Sequence, residues 1–268
     1  MSGNSEMDIN YYNSRLDINL DAISRNVEKI RAYTGGLQVL PVVKSNSYGL
    51  GTAEIARHLV KNCGIRLLAA ARIFEGCQIQ DAGCAETEIM ILGPVPTYSI
   101  PAAVERGIQI PLFLKSDALL LSQEARRRGL PCVKAHLKIE TGMNRIGVKP
   151  GAELEEFLRY IKGLGNIEID GVFTHFATAD QAQHGEGNPF TRQQLALFQR
   201  ALAQTRDAGI TPRFIHCCNT GGTTWLKEAY PLSTHVRVGS LYLGYSSVQD
   251  DWNPVNVEEC ASWKTLIV

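Results

Sequence analysis

The chain has 268 residues, 44% hydrophobic and 20% charged, and its 27 Lys and Arg balance its 27 Asp and Glu. Such a chain can bury a large core as one barrel or as two smaller domains, and the lack of net charge gives no pull toward nucleic acid or an anionic membrane surface. No apolar run approaches the roughly 20 residues of a membrane helix and the polar start, Met1 to Tyr12, has no signal-peptide apolar stretch, so a cytoplasmic protein is expected. Its 7 cysteines contain no C-x-x-C pair and read as reduced core fillers, with no metal site implied.

In chain order, an alternating run at Leu16–Leu20 predicts a strand, and Ile23, Val27 and Ile30 predict a helix after it. Short apolar runs then alternate with amphipathic stretches. The strands expected are Leu37–Val43, Arg66–Ala71, Glu88–Leu92, Gln109–Phe113, Cys132–Ile139, Ile167–Thr174, Arg213–Cys217 and Ser233–Val236. Helical spacing recurs between them, in Ile55, Leu59 and Val60, in Leu154, Phe157, Leu158 and Ile161, and in Leu195, Phe198 and Leu202. Repeated βα units imply a parallel sheet. The expected fold is therefore α/β, a (β/α)8 barrel, with a doubly wound open sheet as the competing architecture, because periodicity does not show closure.

In a barrel, chemistry collects at the C-terminal strand ends, and the unusual residues fall there. Lys44 follows the first strand in Val43-Lys44-Ser45-Asn46-Ser47-Tyr48-Gly49; an amine beside a phenol and a flexible turn suits a Schiff base with an aldehyde cofactor, or is a solvated loop lysine. Lys138, Glu140, Met143 and Arg145 lie at or beyond the fifth strand, His175 after the sixth, Asn219-Thr220-Gly221-Gly222 after the seventh, and Arg237-Val238-Gly239-Ser240 after the eighth. Hydroxyls and glycines in the last two loops suit the phosphate of a small cofactor, or form plain tight turns; neither loop has Walker or G-x-G-x-x-G spacing.

The first motif closely resembles the Lys-x-Asn-x-Tyr-Gly attachment motif of alanine racemases, and the later clusters follow in that family's order over about residues 15 to 268. The resemblance implies the pyridoxal 5′-phosphate barrel of a fold-type III enzyme that interconverts L- and D-alanine, or a related amino acid, for cell-wall precursors. By it, Lys44 would hold the cofactor and act as one of two acid/base groups. Tyr48, Asn219, Thr220, Gly239 and Ser240 would form the phosphate site, and Arg237 would face the pyridine nitrogen with His175 bonded to it. Arg145 would sit near the substrate carboxylate, with Met143 beside it and Lys138, often carbamylated in the family, orienting it. Ser45 and Ser47 stand where alanine is usual, and Asn144 where glycine is frequent; neither change removes a functional group.

The resemblance also implies a homodimer whose second acid/base is a tyrosine on a C-terminal β-domain of the other subunit. Residues 1–14 read as a polar segment, 15–250 as the barrel, and 251–268, ending in the β-prone Trp263–Val268, as the start of that β-domain; cut off there, the chain is expected to be poorly active. Two other classes fit the same motifs: a single-domain pyridoxal-phosphate barrel without racemase activity, and a Schiff-base aldolase-type barrel.

Overall fold

The computed structural model describes residues 13–181, 188–246 and 253–267; residues 1–12, most of the expected polar segment, and the expected boundary at 250/251 lie outside them. Eight parallel strands form the centre: β2 (Gln38–Pro41), β3 (Leu67–Ala70), β4 (Glu88–Ile91), β5 (Ile110–Leu112), β6 (Val133–Lys138), β7 (Ile167–Phe173), β8 (Phe214–His216) and β9 (His235–Val238). β3 pairs β4, β5 through β8 pair in series, and β9 pairs β2. The remaining seams are narrow. Val42 bridges Ala69, Met90 bridges Gln109, and the Thr234 and Arg237 N–H groups donate to Ile215 and Cys218 carbonyls at 2.8 Å. The sheet therefore closes on itself, which decides between barrel and open sheet.

Side-chain alternation along each strand explains the two cores. Inward positions supply Leu40, Val42, Leu67, Ala69, Met90, Phe173 and Phe214. Outward positions such as Val39, Leu68, Ile89, Leu137 and Val172 pack under helices α3 (Thr52–Cys63), α4 (Ile73–Ile79), α5 (Ile100–Arg106), α6 (Lys115–Arg127), α7 (Ala152–Leu164) and α8 (Pro189–Asp207). The helix anticipated from Ile23, Val27 and Ile30 is α1 (Leu20–Tyr33), and all three residues are fully buried. Buried Asn26 ties α1 to the end of the barrel, donating to the carbonyls of Tyr242 (3.2 Å) and Glu258 (2.7 Å).

Two expectations are corrected. The last strand runs to Val238 rather than Val236, so Arg237 stands within β9, aimed inward, and not in the loop after it. The strands at the chain ends each begin two residues earlier than expected: β1 (Ser14–Ile18) pairs antiparallel with β10 (Ala261–Thr265), forming a ribbon outside the barrel that leaves Trp263 79% and Ile267 99% exposed.

Candidate active site

Lys44 opens a single short turn, α2 (Lys44–Tyr48), in which Ser45, Asn46, Ser47 and Tyr48 have φ of 54°, 55°, 50° and 58°. Left-handed backbone costs ordinary residues roughly 1–2 kcal/mol each, so this turn persists only because its surroundings hold it. Glu75, buried at the start of α4, ties the turn to that helix: one carboxylate oxygen accepts the Ser45 N–H at 2.8 Å, the other the Ala71 and Arg72 N–H groups at 2.8 and 3.1 Å. Asn46 Oδ1 accepts from the Thr52 N–H (2.9 Å), and the Thr52 hydroxyl donates to the Val43 carbonyl (3.0 Å). The consequence is geometric. The turn directs Lys44 and Tyr48 to the same side, with Lys44 Nζ 5.9 Å from the Tyr48 ring centroid.

Both face a cavity of about 280 Å³ at the C-terminal mouth of the barrel, lined also by His175, Asn219, Thr220, Arg237, Gly239 and Ser240. The expected residues from four separate loops and strands are thus brought together. Gly239 allows the approach of Tyr48, because a Cβ there would lie 1.9 Å from the phenol oxygen. Asn219 caps the short helix α9 (Thr220–Trp225), accepting the Gly222 N–H at 2.9 Å and donating to the Phe176 carbonyl at 3.1 Å.

Arg237 forms the floor. It is 3% exposed, and its Nη2 donates to the Thr174 carbonyl and to His175 Nδ1, both at 2.9 Å, while Nη1 meets His216 Nδ1 at 2.9 Å. Because a guanidinium only donates, both imidazoles must accept through Nδ1 and are neutral. Burial, with Arg237 next in weight, holds both far below the ordinary imidazole range, His175 at about 2. Burial also lowers Arg237 itself to about 10, against neighbouring thiols that favour its charge. Among the described residues no carboxylate pairs with it.

Lys138, at the end of β6, is 3% exposed and donates to the Ile139 carbonyl at 2.9 Å. Burial and then the Arg237 cation push its amine down to about 7, against the attraction of Glu140. Glu140 is occupied by the backbone of the next loop, accepting from the Gly142 and Arg145 N–H groups, and these bonds outweigh its burial and keep it ionised. Asn144 sits at φ 53°, a left-handed conformation that glycine and asparagine adopt most readily. Arg145 is exposed on this loop with Met143 half-buried beside it; neither lines the cavity, and Arg145 and Lys138 share no side-chain hydrogen bond. Sequence reasoning missed Glu75, and gave His216, at the end of the seventh strand, no role of its own. A glutamate in an apolar helix start and a histidine at an inward strand position were the only signals for them.

A closed parallel barrel with an amine, a phenol and a buried guanidinium around one mouth defines a class of lysine-bearing barrel proteins with a cofactor-sized cavity. Comparison with known proteins narrows the class: the family model described as alanine racemase, N-terminal domain, matches residues 18–247, and the chain belongs to that family. It is 32% identical over 251 residues to an alanine racemase of Symbiobacterium thermophilum, a match that covers 94% of this chain and 64% of the relative. The chain thus spans just under two thirds of that relative's length. Among solved structures, alanine racemase of Clostridium difficile 630 in complex with cycloserine superposes with a TM-score of 0.86 at 25% identity, over 95% of this chain and 68% of the other. An alanine racemase from Bartonella henselae with covalently bound pyridoxal phosphate shares the fold, at a TM-score of 0.80 and 23% identity, over 95% of this chain and 66% of that one.

Proposed function

We propose that this barrel belongs to a pyridoxal 5′-phosphate-dependent amino-acid racemase acting on alanine or a closely related small amino acid. The observation that carries the reading is the single cavity where Lys44, Tyr48 and a carboxylate-free Arg237 meet the Asn219–Thr220 and Gly239–Ser240 loops. These residues fit the cofactor: an amine for its aldehyde, and for its phosphate the Tyr48 phenol and the polar groups of Asn219, Thr220, Gly239 and Ser240, which meet at the cavity wall. When bound, the cofactor supplies the electron sink that makes the substrate α-proton acidic.

The chain's own residues then have separate tasks. Lys44 holds the cofactor and moves one proton at the substrate α-carbon. Arg237 would face the ring nitrogen, where its fixed charge would oppose protonation and so restrain side reactions such as transamination. His175 orients Arg237 through the 2.9 Å bond. Arg145 and Met143, on the loop after β6, stand outside the cavity lining and would have to swing inward to meet the substrate carboxylate, and Lys138 is the carbamylation site, since an amine lowered to about 7 is nucleophilic at neutral pH. Racemisation also needs a proton carrier on the opposite face. Tyr242 and Tyr230 are committed elsewhere, to the Val42 and Thr223 carbonyls, which supports a carrier from the partner subunit of a homodimer. In this reading the barrel begins after β1, at α1, and the β1–β10 ribbon belongs to a separate β-unit. A cytoplasmic setting agrees with the absence, among the described residues, of any helix long and apolar enough to cross a membrane.

Borohydride reduction of the chain loaded with pyridoxal phosphate, followed by peptide mapping, tests the reading. A pyridoxyl group on Lys44 and solvent-deuterium exchange at the alanine α-carbon are expected. Label on another lysine, or none, refutes the cofactor assignment.

A further inference from the structure

A row of polar groups continues from the cavity floor into the barrel. Arg237 Nη1 lies 2.9 Å from Nδ1 of His216, and Nε2 of His216 lies 3.1 Å from Nδ1 of His136; both imidazoles are fully buried. The direction of donation is forced. Since Arg237 only donates, His216 carries its proton on Nε2, and that proton faces His136 Nδ1, which must accept it.

His136 is held by features that do not involve Arg237. The register of β6 against β7 shifts between Ala135 and His136, so His136 faces Gly171 and Asp170 becomes the extra residue of a bulge. Asp170 turns to Arg213, accepting from its Nε at 2.6 Å. Only glycine fits opposite the ring, because a Cβ at residue 171 would lie 2.2 Å from His136 Nδ1. Phe214 stacks on the ring at a centroid distance of 5.7 Å. Backbone, bulge and stacking thus fix one imidazole whose one protein hydrogen bond, among the described residues, goes to His216.

We propose that His136 is a positioning residue for Arg237: by accepting the His216 Nε2–H from inside the barrel it locks that ring, and so fixes the guanidinium in the orientation it presents to the cavity. The link from Arg237 to a cofactor rests on the function proposed above; the link from His136 to His216 does not. His136→Phe keeps an aromatic ring and removes the acceptor, whereas His136→Asn is smaller but can place Oδ1 where Nδ1 stands.

Histidine ¹⁵N NMR of the cofactor-free chain is expected to show His216 protonated on Nε2, with slow exchange of that proton. In His136→Phe the exchange should accelerate about tenfold or more, and the affinity for pyridoxal phosphate should fall by a similar factor, as the loss of an acceptor to a buried donor implies. His136→Asn should restore both toward the original values, and Gly171→Ala, which displaces the ring, should behave like His136→Phe. The opposite ranking, with Phe near the original and Asn impaired, would mean that the ring only fills space and would overturn the proposal. A proton on Nδ1 of His216 in the unaltered chain overturns it too, even if both variants fail to fold. Should the unaltered chain take up no pyridoxal phosphate, the cofactor reading fails while the exchange measurements still decide the role of His136.

Discussion

Acidification should unfold this barrel well before its carboxylates are protonated. Burial, with Arg237 next in weight for His175 and His216, keeps four imidazoles neutral in the folded state: His136 at about 3, His175 at about 2, His235 at about 4, and His216 well below its ordinary value. An unfolded imidazole takes up its proton near 6.5, so between that value and the folded-state values the unfolded chain binds more protons and stability falls as pH falls. Each such group loses about 1.4 kcal/mol per pH unit. At pH 5, about 1.5 units below the unfolded value, that is about 2 kcal/mol apiece; counting the half-buried His175 and His235 at less than full weight, the set loses roughly 5–8 kcal/mol. Such a loss is comparable with the whole stability of a typical domain, roughly 5–15 kcal/mol. Urea unfolding followed by circular dichroism from pH 8 to pH 4.5 measures it directly, and His136→Phe should shallow the slope by about one proton. A fall of less than about 2 kcal/mol between pH 7 and pH 5 would refute the reasoning.

Other consequences are equally direct. Gly239→Ala puts a methyl group within 1.9 Å of the Tyr48 oxygen, so Tyr48 must move, and pyridoxal-phosphate affinity should drop at least tenfold in a spectral titration while the fold survives. Glu75→Gln replaces an acceptor of three N–H groups by one that also donates; about 1–3 kcal/mol of stability should be lost, and borohydride labelling of Lys44 should slow, because the left-handed turn loosens. Lys138, at about 7 when folded and near 10.4 when unfolded, predicts stability that rises with pH across that window in bicarbonate-free buffer, a limb that Lys138→Met should abolish. Supplied with ¹³C-bicarbonate, the chain should show a carbamate carbon resonance that Lys138→Arg removes.

Period and punctuation made much of the barrel legible. Seven of the expected strand positions coincide with observed strands to within a residue or two at each end, and the eighth is displaced toward its C-terminus, because runs such as Leu67–Ala70 and Glu88–Ile91 are apolar on both faces, as a strand between barrel interior and helix layer must be. The lysine, phenol and arginine of the cavity were likewise legible, since each sits at a strand end where loops converge. Tertiary structure decided the rest. Closure depends on single bridges such as Val42 with Ala69, which no local pattern encodes. Pairing of Leu16 with Trp263 joins strands at opposite ends of the chain, beyond any sequence window. Four consecutive left-handed residues after Lys44 oppose the intrinsic preference of Ser and Tyr, and persist because distant Glu75 and nearby Thr52 hold them. The chain's own pattern could place Arg237 near the end of a strand; that it points inward follows from strand parity, and that His136 backs His216 follows from a one-residue bulge at Asp170, beside Gly171, and these become visible only when neighbouring strands are set in register.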